Sequence, residues 1–400
     1  MNNLIDIKPA EFKCSNCGFK GMKAFYEAGN VPVHSCILQD SREEALSFPT
    51  GDILLGLCEN CGFIANLAYE PKFRDYSTAY EDQQSFSGTF NVFAKRLAQS
   101  LIDKYELHEK QLIEIGCGKG DFLMLICELG NNSGIGIDPA YIEARVDSPA
   151  AAKVKFIRDY YTEKYKYLHG DMILCRHTLE HIDQTAQFVR IVRDAIGVNS
   201  DTIVFFEIPE TKRVLKELAF WDIYYEHCSY FTPGSLGRLF RHESFEIIDL
   251  YTDFDDQYLL IECRPAEQPT DSPHPSEEPI KETALEVDRF KSECARKLHE
   301  WKSFFEGALR DNKRVAIWGS GSKCVAFMTT LGLDSEIGMV VDINPHRHGK
   351  FIPGAGKEIV SPRRLIEFQP DLVVVMNPVY KDEIAVNLRE MSIGAELIAV

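Results

Sequence analysis

The chain has 400 residues, 45% hydrophobic and 26% charged, long enough for two or three domains with real cores. A formal net charge of −17 and a pI near 5.2 argue against nucleic acid as a partner, because a phosphate-binding surface needs an excess of Lys and Arg. No apolar run is long enough to span a bilayer, and Met1-Asn2-Asn3-Leu4 begins no basic-then-apolar leader, so a cytoplasmic protein with a small-molecule partner and no membrane is expected.

Cys14-Ser-Asn-Cys17 and Cys58-Glu-Asn-Cys61 are two C-x-x-C knuckles, each followed by a glycine. Paired knuckles predict a four-sulfur zinc site in residues 1–75. Four thiolates fill a tetrahedral ion, so a structural role is expected rather than a catalytic one. His34 and Cys36 lie between the knuckles as competing ligands. The other cysteines are scattered, several in apolar runs, as in a reduced protein.

Phe90, Phe93, Ala94, Leu97, Leu101 and Tyr105 recur at helical spacing and predict a helix. From Gln111 strands and helices alternate: strands at Leu112–Ile115, Gly134–Ile137, Asp171–Cys175 and Thr202–Ile208, with a helix at Asp121–Leu129. This pattern predicts an α/β fold with a parallel, doubly wound sheet over 76–265. Phe245–Tyr251 and Tyr258–Cys263 flank a turn and predict a late antiparallel hairpin.

The loop Glu114-Ile115-Gly116-Cys117-Gly118-Lys119-Gly120 joins a strand to a helix. Its glycines admit close approach of a ligand to the backbone. The acid ahead of them would repel a pyrophosphate and suits a cationic ligand such as S-adenosylmethionine. Asp138 ends the next strand, where ribose hydroxyls need an acceptor, and Pro139 follows it. The competing reading is a tight structural turn.

His177 and His181 follow strand Asp171–Cys175, at the carboxyl end where parallel sheets place ligands. Their spacing allows one helix face, with His177 near the cofactor and His181 facing the active site. A metal pair is conceivable, though H-x-x-x-H lacks further ligands. Tyr224-Tyr225-Glu226-His227 is a second polar cluster, among aromatic residues that also suit a core.

Residues 264–282 are rich in proline and acids and read as an exposed linker. A helix follows to about Asn312, with Val287, Phe290, Cys294, Leu298, Trp301, Phe305 and Leu309 on one stripe. Linker and helix occupy 266–312. A second α/β unit, 313–400, has strands at Arg314–Trp318, Ile337–Val341, Asp371–Met376 and Glu396–Val400. Its loop Gly319-Ser320-Gly321-Ser322-Lys323 has no preceding acid and ends in a lysine, a polarity that suits phosphate. Gly319, Ser320, Lys323 and the strand-end Asn377 are the candidate substrate-binding residues; a ligand-free lid is the alternative.

In this order the motifs resemble one family, the S-adenosylmethionine-dependent C-methyltransferases acting on nucleotide-linked keto-deoxysugars. The likeness runs from the four cysteines through Asp75-Tyr76-Ser77-Thr78-Ala79-Tyr80, Glu114–Gly120, Arg176-His177-Thr178-Leu179-Glu180-His181 and Ile223-Tyr224-Tyr225-Glu226-His227 to the C-terminal unit. The chain departs from the family's I-Y-H-E-H at Tyr225 and from its G-A-A-A-K-like loop at 319–323. The resemblance implies a class I, Rossmann-like methyltransferase sheet between a small zinc domain and a second Rossmann-like domain. The nucleotide sugar would lie between the central and C-terminal units. The cofactor would meet Glu114, Gly116, Cys117, Gly118, Gly120, Asp138, Pro139 and His177. C-methylation needs a base, a donor to the enolate oxygen and in-line geometry. His227 is the expected base, Tyr224 the donor and Glu226 an orienting group, with His181 and Tyr76 near the reacting centre. Two rival readings are an O- or N-methyltransferase of this architecture and a non-catalytic zinc-knuckle scaffold.

Overall fold

The computed structural model describes residues 11–143 and 145–400; the leading residues read above for a targeting signal lie outside them. In chain order the first strands are β1 (Lys23–Pro32), β2 (Thr50–Leu57) and β3 (Ile64–Asn66). The middle of the chain contributes β4 (Gln111–Ile115), β5 (Ser133–Ile137), β6 (Val154–Ile157), β7 (Met172–Arg176), β8 (Ile203–Pro209), β9 (Ser229–Tyr230), β10 (Phe245–Asp253) and β11 (Tyr258–Pro265). The last quarter adds β12 (Val315–Trp318), β13 (Met339–Val341), β14 (Ile359–Val360), β15 (Leu372–Val375) and β16 (Glu396–Ala399).

The central sheet runs β10-β11-β8-β7-β4-β5-β6. Strands β8 to β6 are parallel, and β11 is antiparallel to both β8 and β10. Its parallel strands are apolar on both faces because helices cover both. The C-terminal sheet is wholly parallel in the order β14-β13-β12-β15-β16. Each sheet reverses its strand order once beside its glycine loop, at β4/β7 and at β12/β15, where doubly wound sheets open a crevice.

The cysteine segment carries an antiparallel sheet that periodicity did not reveal, β1-β2-β3-β9. Its last strand comes from far along the chain: Ile64 pairs with Tyr230 and Ala65 with Ser229. This sheet shares a core with the C-terminal unit. Phe25, Tyr26 and Leu55 join Trp221, Phe290, Phe305, Phe327 and Ile317 in one buried cluster. Phe63, just after the second knuckle, instead packs on Phe231 at 5.1 Å, against the central sheet.

Helix Gly88–Tyr105 buries the predicted stripe from Phe90 to Leu101, with Tyr105 half-buried. Its cap Ser87 accepts from the amide of Phe90 and donates to Glu383 of the C-terminal unit at 2.7 Å. Two expectations need correction. Residues 264–282 are not simply exposed: Glu278 is buried, accepting from Thr232, Thr283 and the amide of Gly234, and Glu277 pairs with Arg241. Prolines keep this strap extended while its acids anchor it to helix Pro233–His242. In helix Ile280–Arg310 the stripe ends early, since Leu309 is 47% exposed. The short strands β6 and β14 also carry too few residues for a periodic signal.

Candidate active site

Both crevices open into one cavity of about 730 Å³. It is lined from the central sheet by Glu114–Lys119 and Asp138, from the polar cluster by Tyr224 and His227, and from the C-terminal sheet by Trp318, Gly319 and Asn377.

At the first loop Gly116, Gly118 and Gly120 all take positive φ. A Cβ on Gly116 would lie 1.8 Å from Oγ1 of Thr178, so no other residue fits without moving the β7 loop. Asp138 accepts from the amides of Gly118 at 2.8 Å and Ala140 at 2.6 Å, so this carboxylate braces the loop it faces. Glu114 is buried, and its Oε2 has no partner. Burial pushes Glu114 up to about 7 against the pull of Arg176, and burial pushes Asp138 up to about 6 against its amide bonds. Two carboxyls this reluctant to ionise, one with an orphan oxygen, fit a cationic ligand that would restore their charge. Cys117, Pro139 and His177 also line the cavity, as does Gly120's neighbour Asp121.

His177 and His181 do not share a helix face. His177 sits at φ 48 directly after β7, and His181 ends the 3₁₀ turn Leu179–His181. Nε2 of His177 lies 2.8 Å from Oε1 of Glu207 as an ion-pair contact, and that oxygen accepts from Arg176 at 2.8 Å. Burial pulls His177 down, but Glu180 and Glu207 outweigh it and raise it to about 9.

His181 and His227 face each other with ring centroids 4.7 Å apart, and Tyr224 lies 4.1 Å from His227. Nδ1 of His181 is 3.0 Å from the carbonyl of Glu226, so this nitrogen donates and Nε2 carries the free lone pair. Burial, then His181 and His177, hold His227 well below its ordinary pKa, so it is neutral at physiological pH. Tyr76 packs edge-on to His181 at 5.2 Å, and its buried hydroxyl has no partner. Burial raises Tyr76 and Tyr224 far above the usual phenol range, keeping both as donors.

Glu226 serves a partner that sequence reasoning considered only as a zinc ligand. Nδ1 of His34 lies 3.0 Å from its Oε2, and Ser35 donates to it through both amide and hydroxyl. Burial opposes the charge on Glu226, yet these bonds hold its pKa below the usual range. His34 is raised in turn: burial opposes its charge too, but Glu226 outweighs that, and Nε2 reaches the carbonyl of Phe73 at 2.7 Å. The cysteine segment therefore buttresses the Tyr224–His227 turn from outside.

In the C-terminal loop the predicted residues diverge. Gly319 and Asn377 line the cavity, but Ser320 is fully buried, its amide and hydroxyl both donating to Asp342. Lys323 lines the cavity with its ammonium 3.0 Å from Asp222 and 2.9 Å from Gln257. Asn377 and Gln257 exchange two hydrogen bonds, at 2.8 and 2.9 Å. A second cation beside the glycines is Arg347, buried, with a guanidinium nitrogen 3.9 Å from where a Cβ on Gly321 would lie. Its signal, an arginine shortly after a strand-end Asp-Ile-Asn, is too short to single out from sequence.

The four cysteines cluster away from this cavity, all Sγ atoms within 4.8 Å of one another. Cys14 and Cys61 approach to 3.6 Å, Cys17 and Cys58 to 3.7 Å. Thiolates bound tetrahedrally at about 2.3 Å stand about 3.8 Å apart, so the donor set fits one zinc. Gly18 and Gly62 close each knuckle by donating 2.8 Å bonds to the carbonyls of Cys14 and Cys58.

Residues 89–250 match a family model described as methyltransferase domain, and 276–400 one described as C-methyltransferase C-terminal domain. The chain is 26% identical over 408 residues to C-methyltransferase NovU of Streptomyces niveus, covering 96% of this chain and 93% of that protein. Among solved structures it is similar to 1,6-didemethyltoxoflavin-N1-methyltransferase of Burkholderia thailandensis, 16% identical over 46% of this chain and 84% of that one, TM-score 0.33. It is also similar to magnesium protoporphyrin IX methyltransferase of Synechocystis, 12% identical over 44% of this chain and 84% of that one, TM-score 0.34. No helix among the described residues is long and apolar enough to cross a membrane. The two matched models in tandem, with the likeness to NovU along nearly the whole chain, remove the scaffold reading and show an S-adenosylmethionine-dependent methyltransferase related to C-methyltransferase NovU.

Proposed function

We propose that the enzyme methylates carbon of a nucleotide-linked keto-deoxysugar through an enolate, with His227 as general base. The observation that carries this reading is the single cavity lined by the cofactor loop, the two histidines and the C-terminal crevice together. The bound cofactor supplies an electrophilic methyl group. His227, neutral and buried, takes the proton from the carbon beside the ketone. Tyr76 or Tyr224 donates to the oxygen as it gains charge. The enolate carbon forms the new C–C bond as the methyl–sulfur bond breaks. The amides opening helix Ser322–Leu331 suit the diphosphate, while the ammonium of Lys323 is held by Asp222 and Gln257 and the guanidinium of Arg347 by Ser320 and the carbonyl of Glu81. The four cysteines hold one structural zinc. Residues 1–75, 76–265 and 313–400 act as zinc, methyl-transfer and sugar-binding units, with 266–312 as the connection.

Incubation in deuterated water with a keto-sugar nucleotide tests the chemistry. Deuterium should enter the substrate beside the ketone, and a labelled methyl should appear on that same carbon by mass spectrometry. Label on oxygen or nitrogen without exchange would overturn the enolate route.

Cofactor binding is expected to strengthen as pH rises through 6 to 7. Below about 7 Glu114 is a neutral acid and no longer attracts a cation, and below about 6 Asp138 is a neutral acid and a weaker acceptor for ribose hydroxyls. One obligatory ionisation weakens binding roughly tenfold per pH unit below its pKa. Calorimetry across this range checks it; a pH-independent affinity would refute it.

A further inference from the structure

We propose that Glu180, His181 and His227 form a second metal site, for a divalent first-row transition ion, opening on the active-site cavity. One oxygen of Glu180 and one nitrogen of each histidine lie within 4.8 Å of one another. All three residues are more than nine-tenths buried, at 2%, 8% and 7% exposure, and all three line the cavity. Oε2 of Glu180 is buried without a hydrogen-bond partner, a costly state for a carboxylate oxygen unless a ligand meets it.

The surroundings are those that ready side chains for a metal. A ligating imidazole donates its other N–H to a carbonyl or carboxylate, which fixes its tautomer and direction. His181 does this through Nδ1 to the carbonyl of Glu226 at 3.0 Å, leaving Nε2 bare. A ligating carboxylate is itself held from behind. Oε1 of Glu180 faces Nδ1 of His177 at 3.7 Å, and His177 is anchored through Glu207 to Arg176. His177, left-handed at φ 48, contacts both acids. The H-x-x-x-H spacing therefore does not mark two ligands. His177 supports, His181 binds, and the third ligand comes from 46 positions further on, at His227.

Two imidazoles and one carboxylate suit zinc, cobalt, nickel or ferrous iron over magnesium or calcium. Bonds of about 2.0–2.2 Å would draw the three atoms to about 3–3.5 Å of one another, a closure of at most about 1.5 Å. Three protein ligands leave positions open toward the cavity, unlike the four-cysteine site. Occupancy would tie up the lone pair of His227, so the ion should inhibit turnover. That consequence rests on the proposed role of His227 as base; the binding does not.

Cobalt(II) tests the site on the whole chain with its cysteine site filled by zinc. Equilibrium dialysis and elemental analysis should find one zinc and one cobalt per chain. The cobalt should show weak ligand-field bands without thiolate charge transfer. In both Glu180→Gln and His181→Ala the cobalt affinity should fall at least tenfold while the zinc remains. Absence of bound cobalt, a thiolate band alone, or cobalt retained undiminished in both variants would overturn the proposal. Cobalt bound as expected with turnover unchanged would support the site and instead remove His227 as the base.

Discussion

His227→Ala is expected to lower turnover by about 10²–10⁴-fold, the range over which a positioned general base acts. The imidazole is packed between His181 and Tyr224, and alanine would leave a hole with no basic nitrogen in it. Cofactor affinity should stay close to that of the parent. The cofactor loop is braced by Asp138 rather than by His227. Deuterium exchange into the substrate should fall in parallel with turnover, because both need the same proton removed. Since burial and the neighbouring histidines hold His227 far below 6.5, turnover should show no break from this imidazole near neutrality. Stopped-flow turnover and calorimetry on the same preparation read both quantities. Parent-like turnover would rule out the base assignment.

Stripping zinc from the cysteines is expected to cost activity by unfolding, and to reach well beyond the knuckles. Zinc binding by small four-ligand peptides is worth about 10–16 kcal/mol, comparable with the whole stability of a typical domain at about 5–15 kcal/mol. A zinc on the four cysteines would hold β3, which pairs with β9, only two residues beyond His227. Nε of Arg238 also donates to the carbonyl of Cys61 at 2.9 Å, tying the second knuckle to helix Pro233–His242. Loosening β3 would free β9 and let the His34–Glu226 pair part. Cys58→Ser, or exhaustive chelation, should therefore lower the first thermal transition and abolish turnover together. Zinc content, calorimetric melting and methyl transfer measured side by side would reveal it. Metal-free protein that melts and turns over like the parent would contradict a structural zinc.

The glycine loops were legible because a strand, a tight turn and a helix write their demands into neighbouring residues. Gly116 must have positive φ and no Cβ, and both demands are local or nearly so. The knuckles were legible for the same reason. The role of Glu226 was not: its partner His34 lies 192 residues away, and neither residue carries a pattern that names the other. The partners of Lys323 were hidden for a related reason. A lysine after a glycine loop looks free for phosphate until packing sets Asp222 beside it.

By itself the sequence determined the parallel central sheet, the second α/β unit, the helix at Gly88–Tyr105 and the four-cysteine cluster, because periodicity and short spacing are properties of adjacent residues. Only the tertiary structure decided that both crevices open into one cavity, that the cysteine segment borrows β9 and shares a core with the C-terminal unit, and that His181, His227 and Glu180 converge. Those contacts join segments far apart in the chain, and burial of the surfaces between them, which no local pattern records, selects them.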